Sequence, residues 1–427
     1  MSEVNRVGEG MRRNLARLAS GAVFSQALLL ASTPLLTRLY DPDAFGMMAV
    51  FSAAYALSIP ITTLKYDAAI ILPKSAQSAI SITAMVVFIA STFALLAGGI
   101  LWVGTQLAMP HAQDLHLWLP LALWLGAMYT LTQQWSARHG NYSTYARSQI
   151  IGAILNVGTS LAFGIWGGGR PEYLIMGFVS GMAGSLAYMC WSRRDSLSLI
   201  FGQSLGGVFK RLKVYRQFPG LVLPTTFLII IGQSSIPLVL TAFYAMDQVG
   251  QFAVANRLLL VPAGMIGGAI IEAFRSEFVR RQRNRQEVLT MFKNTLRSLS
   301  FIALPLFVVL AIIAPALFSL VFGAGYEESG YVARAVALGV AAQFIGNPFA
   351  NVFVALRRTA LGFRVQIGTT VIPLLLLCVA AAAGFSLTAA LTLYAVVSAL
   401  SIGMMLLIAY KLCVMSDTEN KARVRSD

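Results

Sequence analysis

The stretch LASGAVFSQALLLASTPLLT, residues 18–37, is an uncharged and mostly apolar run between Arg17 and Arg38. An α-helix needs about 20 such residues to cross the hydrocarbon core of a bilayer. Comparable runs recur along the chain at about 44–64, 77–102, 117–137, 147–168, 173–192, 217–241, 249–272, 298–322 and 332–356. A last uncharged run, 365–410, is long enough for two spans and has a plausible break at 384–386. The sequence therefore predicts twelve transmembrane helices.

The composition of the whole chain agrees with this interpretation. Of its 427 residues, 57% are hydrophobic and 11% are charged, and the mean hydropathy is +0.72. Soluble domains contain about 45–50% apolar and about 25% charged residues. Because only helices and closed barrels can cross a bilayer, we predict an all-α polytopic membrane protein. The same composition excludes a soluble enzyme, a nucleic-acid-binding protein and a secreted disulfide-linked protein.

The basic residues that give the net charge of +15 predict the orientation in the membrane. If the N-terminus is cytoplasmic, nearly all Lys and Arg residues fall in cytoplasmic loops and tails. The exceptions are Arg38, Arg170, Arg257 and Arg334. The predicted outer loops are instead mainly acidic. Since basic loops favour the cytoplasmic side, we predict that both termini are cytoplasmic.

A short pattern occurs twice, at residues 34–50 and 237–254. In each copy a Pro-Leu pair precedes a tyrosine, and a glycine follows that tyrosine after the same interval. Both copies lie at the outer turn between the first and second helices of a predicted half, as expected for repeat-built transporters. We therefore predict an N-terminal six-helix lobe, a basic cytoplasmic linker, a C-terminal six-helix lobe and a cytoplasmic tail. Their ranges are 1–192, 193–216, 217–413 and 414–427.

The loops carry no recognisable enzyme. The longest outer connection, about 103–116, is too short for a catalytic domain, and paired catalytic carboxylates and phosphate-binding glycine loops are absent from the sequence. We predict no catalytic residue and no cofactor. His111 and His116 flank Asp114 in that connection, but three ligands in one loop are weak support for a metal, and no metal site is predicted. Two repeated bundles without enzyme motifs favour transport by alternating access.

Arg257 is the strongest candidate for a functional side chain. It lies roughly 12 Å below the outer end of predicted span eight, at 1.5 Å per residue. A charge at mid-membrane costs about 2.5–3.5 kcal/mol, so we predict that Arg257 binds an anionic group of the substrate. A structural ion pair or an anchor to helix carbonyls is the alternative. Arg38 and Arg334, near the outer ends of spans one and ten, can contact substrate or lipid headgroups.

Neutral polar residues supply further candidates. Gln343, Asn347 and Asn351 recur every four residues and so share one face of predicted span ten. Gln26 lies in the middle of span one. We predict that these amides line a hydrated substrate cavity, and interhelical hydrogen bonding is the alternative.

Two pairs of opposite charges and two pairs of glycines lie at helix positions. Lys65 and Asp67, and likewise Glu272 and Arg275, are candidate gating ion pairs at the inner ends of spans two and eight, with solvated interface charges as the alternative. The glycines at 177 and 181, and at 264 and 268, are spaced by four residues, which predicts close helix packing.

Three segments resemble bacterial polysaccharide flippases, which handle O-antigen and exopolysaccharide. They are TPLLTRLYDPDAFG at 33–46, KYDAAIILP at 65–73 and GQFAVANRL at 250–258, followed by Pro262. These flippases form part of the multidrug/oligosaccharidyl-lipid/polysaccharide exporter superfamily. Major facilitator transporters share the twelve-span plan, but residues 65–81 lack their usual Gly-x-x-x-Asp-basic signature.

The resemblance implies that the chain moves undecaprenyl-diphosphate-linked oligosaccharide to the periplasmic leaflet for O-antigen (lipopolysaccharide) or exopolysaccharide assembly. It also implies the bacterial cytoplasmic (inner) membrane as location. The implied partners are membrane lipids, a polysaccharide polymerase and chain-length machinery, and no nucleic acid. A cation-coupled multidrug exporter of the same superfamily is the alternative, but it would need buried carboxylates at mid-membrane. A membrane enzyme acting on lipid-linked glycans would need larger outer loops.

Overall fold

The computed structural model describes residues 20–107, 116–192, 212–284 and 286–426. Within these ranges the chain forms twelve long helices and no strand. The helices are α1 Ser20–Leu36, α2 Pro42–Thr63, α3 Ala76–Gln106, α4 Trp118–His139, α5 Tyr142–Gly167, α6 Pro171–Trp191, α7 Phe218–Ser234, α8 Met246–Arg283, α9 Leu289–Phe322, α10 Glu327–Ala355, α11 Thr359–Ala382 and α12 Leu387–Ser426. His111, Asp114 and most of the predicted 193–216 linker lie outside the described ranges.

The predicted all-α membrane fold is confirmed. Eight of the described helices are long and apolar enough to cross a membrane, and α1 and α7 are shorter apolar helices. The last uncharged run divides into α11 and α12 at residues 383–386, where the sequence predicted a break. The orientation of the termini stays a prediction.

Helix ends follow the local sequence. Pro42 and Pro171 each occupy the first position of a helix, where a missing N–H costs nothing. Gly140 ends α4 with φ of 69°, a left-handed conformation that glycine adopts without strain. The N–H of Asn141 then donates to the carbonyl oxygen of Ser136 at 2.9 Å, closing the last turn.

The chain consists of two compact units that divide between Leu238 and Val239. In the N-terminal unit, α3, α4, α7 and the short 3-10 helix Tyr66–Ile71 enclose an apolar core, in which Ile70 and Met85 are fully buried. The predicted lobe boundaries stay a prediction, because 193–211 lies outside the described ranges.

The close packing of α5 on α6 confirms the prediction that we made for the glycines at 177 and 181. A Cβ added at Gly177 would clash with the hydroxyl of Ser160, and one at Gly181 would clash with the carbonyl oxygen of Gly152. Only glycine therefore lets these two backbones approach so closely.

Several helices of the C-terminal unit extend past the predicted inner ends of their spans. α8 continues from the predicted end at 272 to Arg283, and α9 begins at Leu289 rather than 298. These extensions are stabilised by an aromatic cluster that joins four helices, since Phe292 contacts Phe349 at a centroid distance of 4.5 Å and Tyr410 at 6.1 Å. Phe274 packs edge-on against Phe349 at 5.0 Å.

α12 contributes a cap to the start of α9. The buried Asp417 accepts hydrogen bonds from the backbone N–H groups of Val288 and Leu289, each at 3.0 Å. The first N–H groups of a helix have no partner within the helix. The carboxylate of Asp417 therefore satisfies two donors that α9 itself cannot.

Candidate functional site

Arg257 lies about 16 Å from the first residue of α8, at 1.5 Å per residue. Its side chain is half-buried. The helix is fixed just above it, because the buried Gln251 donates to the carbonyl oxygen of Gly325 at 2.7 Å and accepts from the N–H of Ser329 at 2.9 Å. The first turns of α8, which precede Arg257, are thus tied to the turn between α9 and α10 and to the start of α10.

The face of α8 that carries Arg257 is open. Phe252, Ala255 and Leu259 are buried on roughly the opposite face. Gly264 and Gly268 lie on the same side as Arg257, and both are exposed. A Cβ added at either glycine would meet nothing within 4 Å. The prediction of close packing at this glycine pair is therefore wrong. The pair instead leaves open space on the arginine's side of α8, about 10 Å and about 16 Å further along the helix.

Arg334 is exposed on α10 and bonds to the backbone of α9. Its Nε donates to the carbonyl oxygen of Ala311 at 3.0 Å, and a terminal nitrogen lies 3.4 Å from the carbonyl oxygen of Ile312. Its guanidinium also lies 5.8 Å from the centroid of the Tyr331 ring. The anchoring to helix carbonyls that we considered for Arg257 is thus observed for Arg334.

Arg38 and Gln26 belong to the N-terminal unit. Arg38 is exposed in the turn after α1, and Gln26 is exposed in the middle of α1. The turn is held by Tyr40, which is buried and whose hydroxyl donates to the carbonyl oxygen of Ser160 at 2.6 Å. Burial raises the pKa of Tyr40 to about 12, and the nearby Tyr173 contributes to this rise.

The three amides that we predicted to share one face of span ten lie on α10, which changes its helical geometry between them. Residues 347–349 form a 3-10 turn that contains Pro348. A 3-10 helix has about three residues per turn instead of 3.6, so Asn351 is rotated away from the face of Gln343. Asn347 is exposed, whereas the amide of Asn351 donates to the carbonyl oxygen of Pro348 at 3.1 Å. Asn347 is the amide of this set that remains most accessible.

Asp67 is buried in the turn after α2. It is 1% exposed, and its Oδ1 accepts from the hydroxyl of Thr63 at 2.7 Å. Its Oδ2 is buried without a hydrogen-bond partner, and no ion pair joins it to Lys65 in the described structure. Leu64 and Lys65 have φ of 47° and 57°, a strained region for side chains of this kind. This buried environment is not that of a solvated interface charge, which was our alternative for Asp67.

Glu272 and Arg275 form an exposed ion pair on α8 with an N–O distance of 2.7 Å. Further along the same helix Glu277 pairs with Arg280 and Arg281, each at 2.8 Å. Hydrogen bonds from Arg280 and Arg281 lower the pKa of Glu277 to about 2. Solvent screens exposed pairs of this kind, so each contributes little to stability.

From the sequence we expected Tyr129 to belong to a polar face of span four, but we did not identify the network that it joins inside the N-terminal unit. The hydroxyls of Tyr129 and Ser148 lie 3.1 Å apart, and Ser185 donates to the carbonyl oxygen of Ser148 at 2.9 Å. Gln149 donates to the hydroxyl of Tyr145 at 3.2 Å, while its Oε1 is buried without a partner. The four-residue spacing of Tyr145 and Gln149 on α5 was a signal that could have identified part of it.

The described residues contain no group of three or more His, Cys, Asp or Glu that could hold a metal ion. Charged side chains and amides are the candidate ligand-binding groups of the described residues. A half-buried arginine on a side of α8 that is open at Gly264 and Gly268, with the accessible amide of Asn347 in the same unit, suits an anionic ligand that also offers hydroxyl groups.

Comparisons with known proteins identify the family and the fold. Residues 35–330 match the family described as polysaccharide biosynthesis protein. No curated protein matches the sequence significantly.

Three solved structures illustrate the similarity in fold. The lipid II flippase MurJ, in an inward closed conformation, has a TM-score of 0.71 at 14% identity, covering 96% of this chain and 92% of that chain. An inward-facing multidrug resistance transporter of the MATE family, in the MOP superfamily, has a TM-score of 0.69 at 14% identity, covering 93% and 96%. A MOP superfamily transporter from Pyrococcus furiosus, described as having a binding pocket of reverse polarity, has a TM-score of 0.55 at 12% identity, covering 96% of each chain. At these identities the similarity establishes the fold, a two-lobe arrangement of twelve helices.

Proposed function

Because the chain belongs to the polysaccharide biosynthesis protein family, we propose that it is a flippase for undecaprenyl-diphosphate-linked oligosaccharide. It moves this lipid from the cytoplasmic to the periplasmic leaflet by alternating access of its two lobes. The product is used to assemble O-antigen or exopolysaccharide at the surface of a bacterium. The protein acts in the cytoplasmic (inner) membrane, next to a polymerase and chain-length machinery.

The observation that carries this proposal is Arg257 with the open face around it. A charge within an apolar helix is costly, so it is retained where it meets an opposite charge. A lipid diphosphate is strongly anionic, and the planar guanidinium binds phosphate oxygens in pairs. The space beside Gly264 and Gly268 lets a headgroup reach the arginine.

The glycan part of the substrate needs hydrogen-bonding groups. Gln26 and Asn347 are exposed on helices α1 and α10, where lipid chains offer no partner for an amide. We assign them, with Gln343, Asn351 and Arg38, to contact with the sugar hydroxyls.

The cation-coupled multidrug exporter is the second candidate. It is favoured by the similarity to the MATE transporter and by the buried carboxylate of Asp67. However, Asp67 lies beyond the last residue of α2, whereas Arg257 lies well within α8. A positive charge within the span favours an anionic substrate over a cationic drug.

The test is to determine which leaflet of the membrane contains the polyprenyl-linked glycan in a strain that lacks the gene. An impermeant glycan-modifying reagent is applied to intact cells and spheroplasts. We expect full-length lipid-linked oligosaccharide to accumulate on the cytoplasmic side, and the wild-type gene to restore surface polysaccharide. Unchanged sidedness in the deletion strain would reject the flippase.

Variants of Arg257 sharpen the test. Removing a charge from a hydrogen-bonded pair costs about 2 kcal/mol or more, so Arg257→Gln should reduce flipping by about 30-fold or more. Arg257→Lys keeps the charge but not the paired contact, and should retain part of the activity. Arg283→Gln, which changes an exposed charge near the end of the same helix, is the matched control and should flip normally. Normal flipping by correctly inserted Arg257→Gln would remove the role of this arginine.

A further inference from the structure

A groove of about 560 Å³ lies between α10 and α12 in the C-terminal unit. On α10 it is lined by Glu328, Tyr331, Arg334 and Leu338, whose spacing of three or four residues places them on one face. On α12 it is lined by Thr388, Thr392 and Val396, which recur every four residues. The groove is thus formed by two matched helix faces rather than by a loop.

The polarity of the groove changes with depth. Glu328 and Thr388 are each the second residue of their helix, so they lie at the membrane face where α10 and α12 begin. Leu338 lies about 15 Å further along α10, at 1.5 Å per residue. The lining therefore passes from an acidic and hydroxyl-bearing mouth, through Arg334, to an apolar floor.

The charges at the mouth select the ligand. Glu328, with Asp247 close enough to repel it, disfavours a purely anionic ligand such as a diphosphate. Arg334 disfavours a purely cationic one. Arg334 uses two of its five N–H donors on α9, so further donors remain for a phosphate. A ligand with one positive and one negative group satisfies both side chains.

We propose that this groove binds a zwitterionic phospholipid of the ethanolamine type. In such a lipid the ammonium is outermost, the phosphate lies beneath it and the acyl chains are deepest. The groove has the same order, with Glu328 outermost, Arg334 about 9 Å further along the helix, and Leu338 with Val396 at the floor. The ammonium pairs with Glu328, and the phosphate pairs with the remaining N–H donors of Arg334.

This inference does not rest on the proposed transport function, because the groove lies within one unit and apart from Arg257. A lipid bound here would be a resident partner of the C-terminal unit. Its acyl chains would cover part of the apolar surface beside the groove, where Leu338 is 49% exposed.

The test is lipid retention by the purified full-length protein, measured by native mass spectrometry. The probes are dioctanoyl phosphatidylethanolamine, dioctanoyl phosphatidylglycerol and free phosphoethanolamine. We expect the wild-type protein to retain the ethanolamine lipid in preference to the glycerol lipid. Equal retention of the two lipids would overturn the proposal, as would competition by free phosphoethanolamine at the same concentration as the lipid, because that result would indicate a phosphate site without a lipid chain.

Single-residue variants locate the site. Glu328→Gln removes the solvent-accessible charge pair with the ammonium and should reduce retention of the ethanolamine lipid by about three-fold. Glu327→Gln changes the same charge at the neighbouring exposed position outside the groove and should retain the lipid as the wild type does. Arg334→Gln, which removes the charge that pairs with the phosphate, should weaken retention of both phospholipids. Equal retention by Glu328→Gln and Glu327→Gln, or unchanged retention by Arg334→Gln, would overturn the proposal.

Discussion

The Nε of Arg334 on α10 lies 3.0 Å from the carbonyl oxygen of Ala311 on α9. Ala311 lies four residues before Pro315, and proline has no N–H to donate to that carbonyl within the helix. The arginine therefore satisfies a backbone acceptor that the proline leaves free. A side chain that we predicted to be a substrate contact thus also repairs an interrupted helix.

This pairing predicts a coupling between Arg334 and Pro315. Arg334→Met should lower the free energy of unfolding by about 1 kcal/mol, because a hydrogen bond to the freed carbonyl is lost. In a Pro315→Ala background, the new N–H at 315 can bond to Ala311, so the same substitution should cost less. Chemical unfolding of the four proteins in detergent measures the difference. Strict additivity of the two substitutions would contradict the proposed repair.

Tyr40 predicts a dependence of stability on alkaline pH. The hydroxyl has a pKa of about 12 in the folded protein, against about 10 for an ordinary tyrosine. Its contribution to stability is thus fully present below about pH 10 and is lost as the pH rises toward about 12. Tyr40→Phe removes the hydrogen bond to Ser160, which costs about 1 kcal/mol at neutral pH. The difference in melting temperature between the two proteins should shrink above pH 10, and a constant difference would contradict the prediction.

Asp417 predicts a local effect at the start of α9. Asp417→Ala leaves the N–H groups of Val288 and Leu289 without their acceptor and should cost about 1 kcal/mol, as the loss of a helix cap does. Asp417→Asn keeps one acceptor oxygen, so its stability should lie between that of the wild type and that of Asp417→Ala. Amide hydrogen exchange at 288 and 289 reports the change directly. Glu419→Ala, an exposed acid on the same helix, is the control, and an equal effect there would exclude a specific cap.

The two glycine pairs predict opposite responses to the same substitution. Gly177→Ala forces a Cβ against Ser160 and should destabilise the protein by about 1–3 kcal/mol, as overpacking does. Gly264→Ala adds the same methyl group in open space and should stabilise the protein by about 0.5–1 kcal/mol, because alanine favours a helix more than glycine does. Equal effects on thermal unfolding would show that spacing alone, rather than the contact, determines the cost.

The number of spans could be predicted from the sequence because a membrane span is set by length and polarity, which are local properties. The break between α11 and α12 was predictable for the same reason. The ends of α8 and α9 were not, because their extensions depend on contacts among Phe274, Phe292 and Phe349 that come from separate parts of the chain.

The candidate site was predicted only in part. The depth of Arg257 follows from its position in an apolar run, but the open face beside it depends on which neighbours α8 meets. Proline disfavours the α-helical conformation of the residue before it. Pro348 could therefore have indicated that Gln343 and Asn351 do not share one helix face. The buried Asp67 follows a turn in which Leu64 and Lys65 adopt left-handed conformations, and the residue types do not suggest such a turn.

The cap that Asp417 places on α9 has a consequence for reporter fusions. A fluorescent protein fused after residue 416 would replace the carboxylate and leave α9 without its cap, whereas one fused after residue 419 would keep it. The two junctions lie within one helical turn of each other. They should nevertheless differ in the yield of folded protein, so the position of the fusion determines whether fluorescence reports on the intact C-terminal unit.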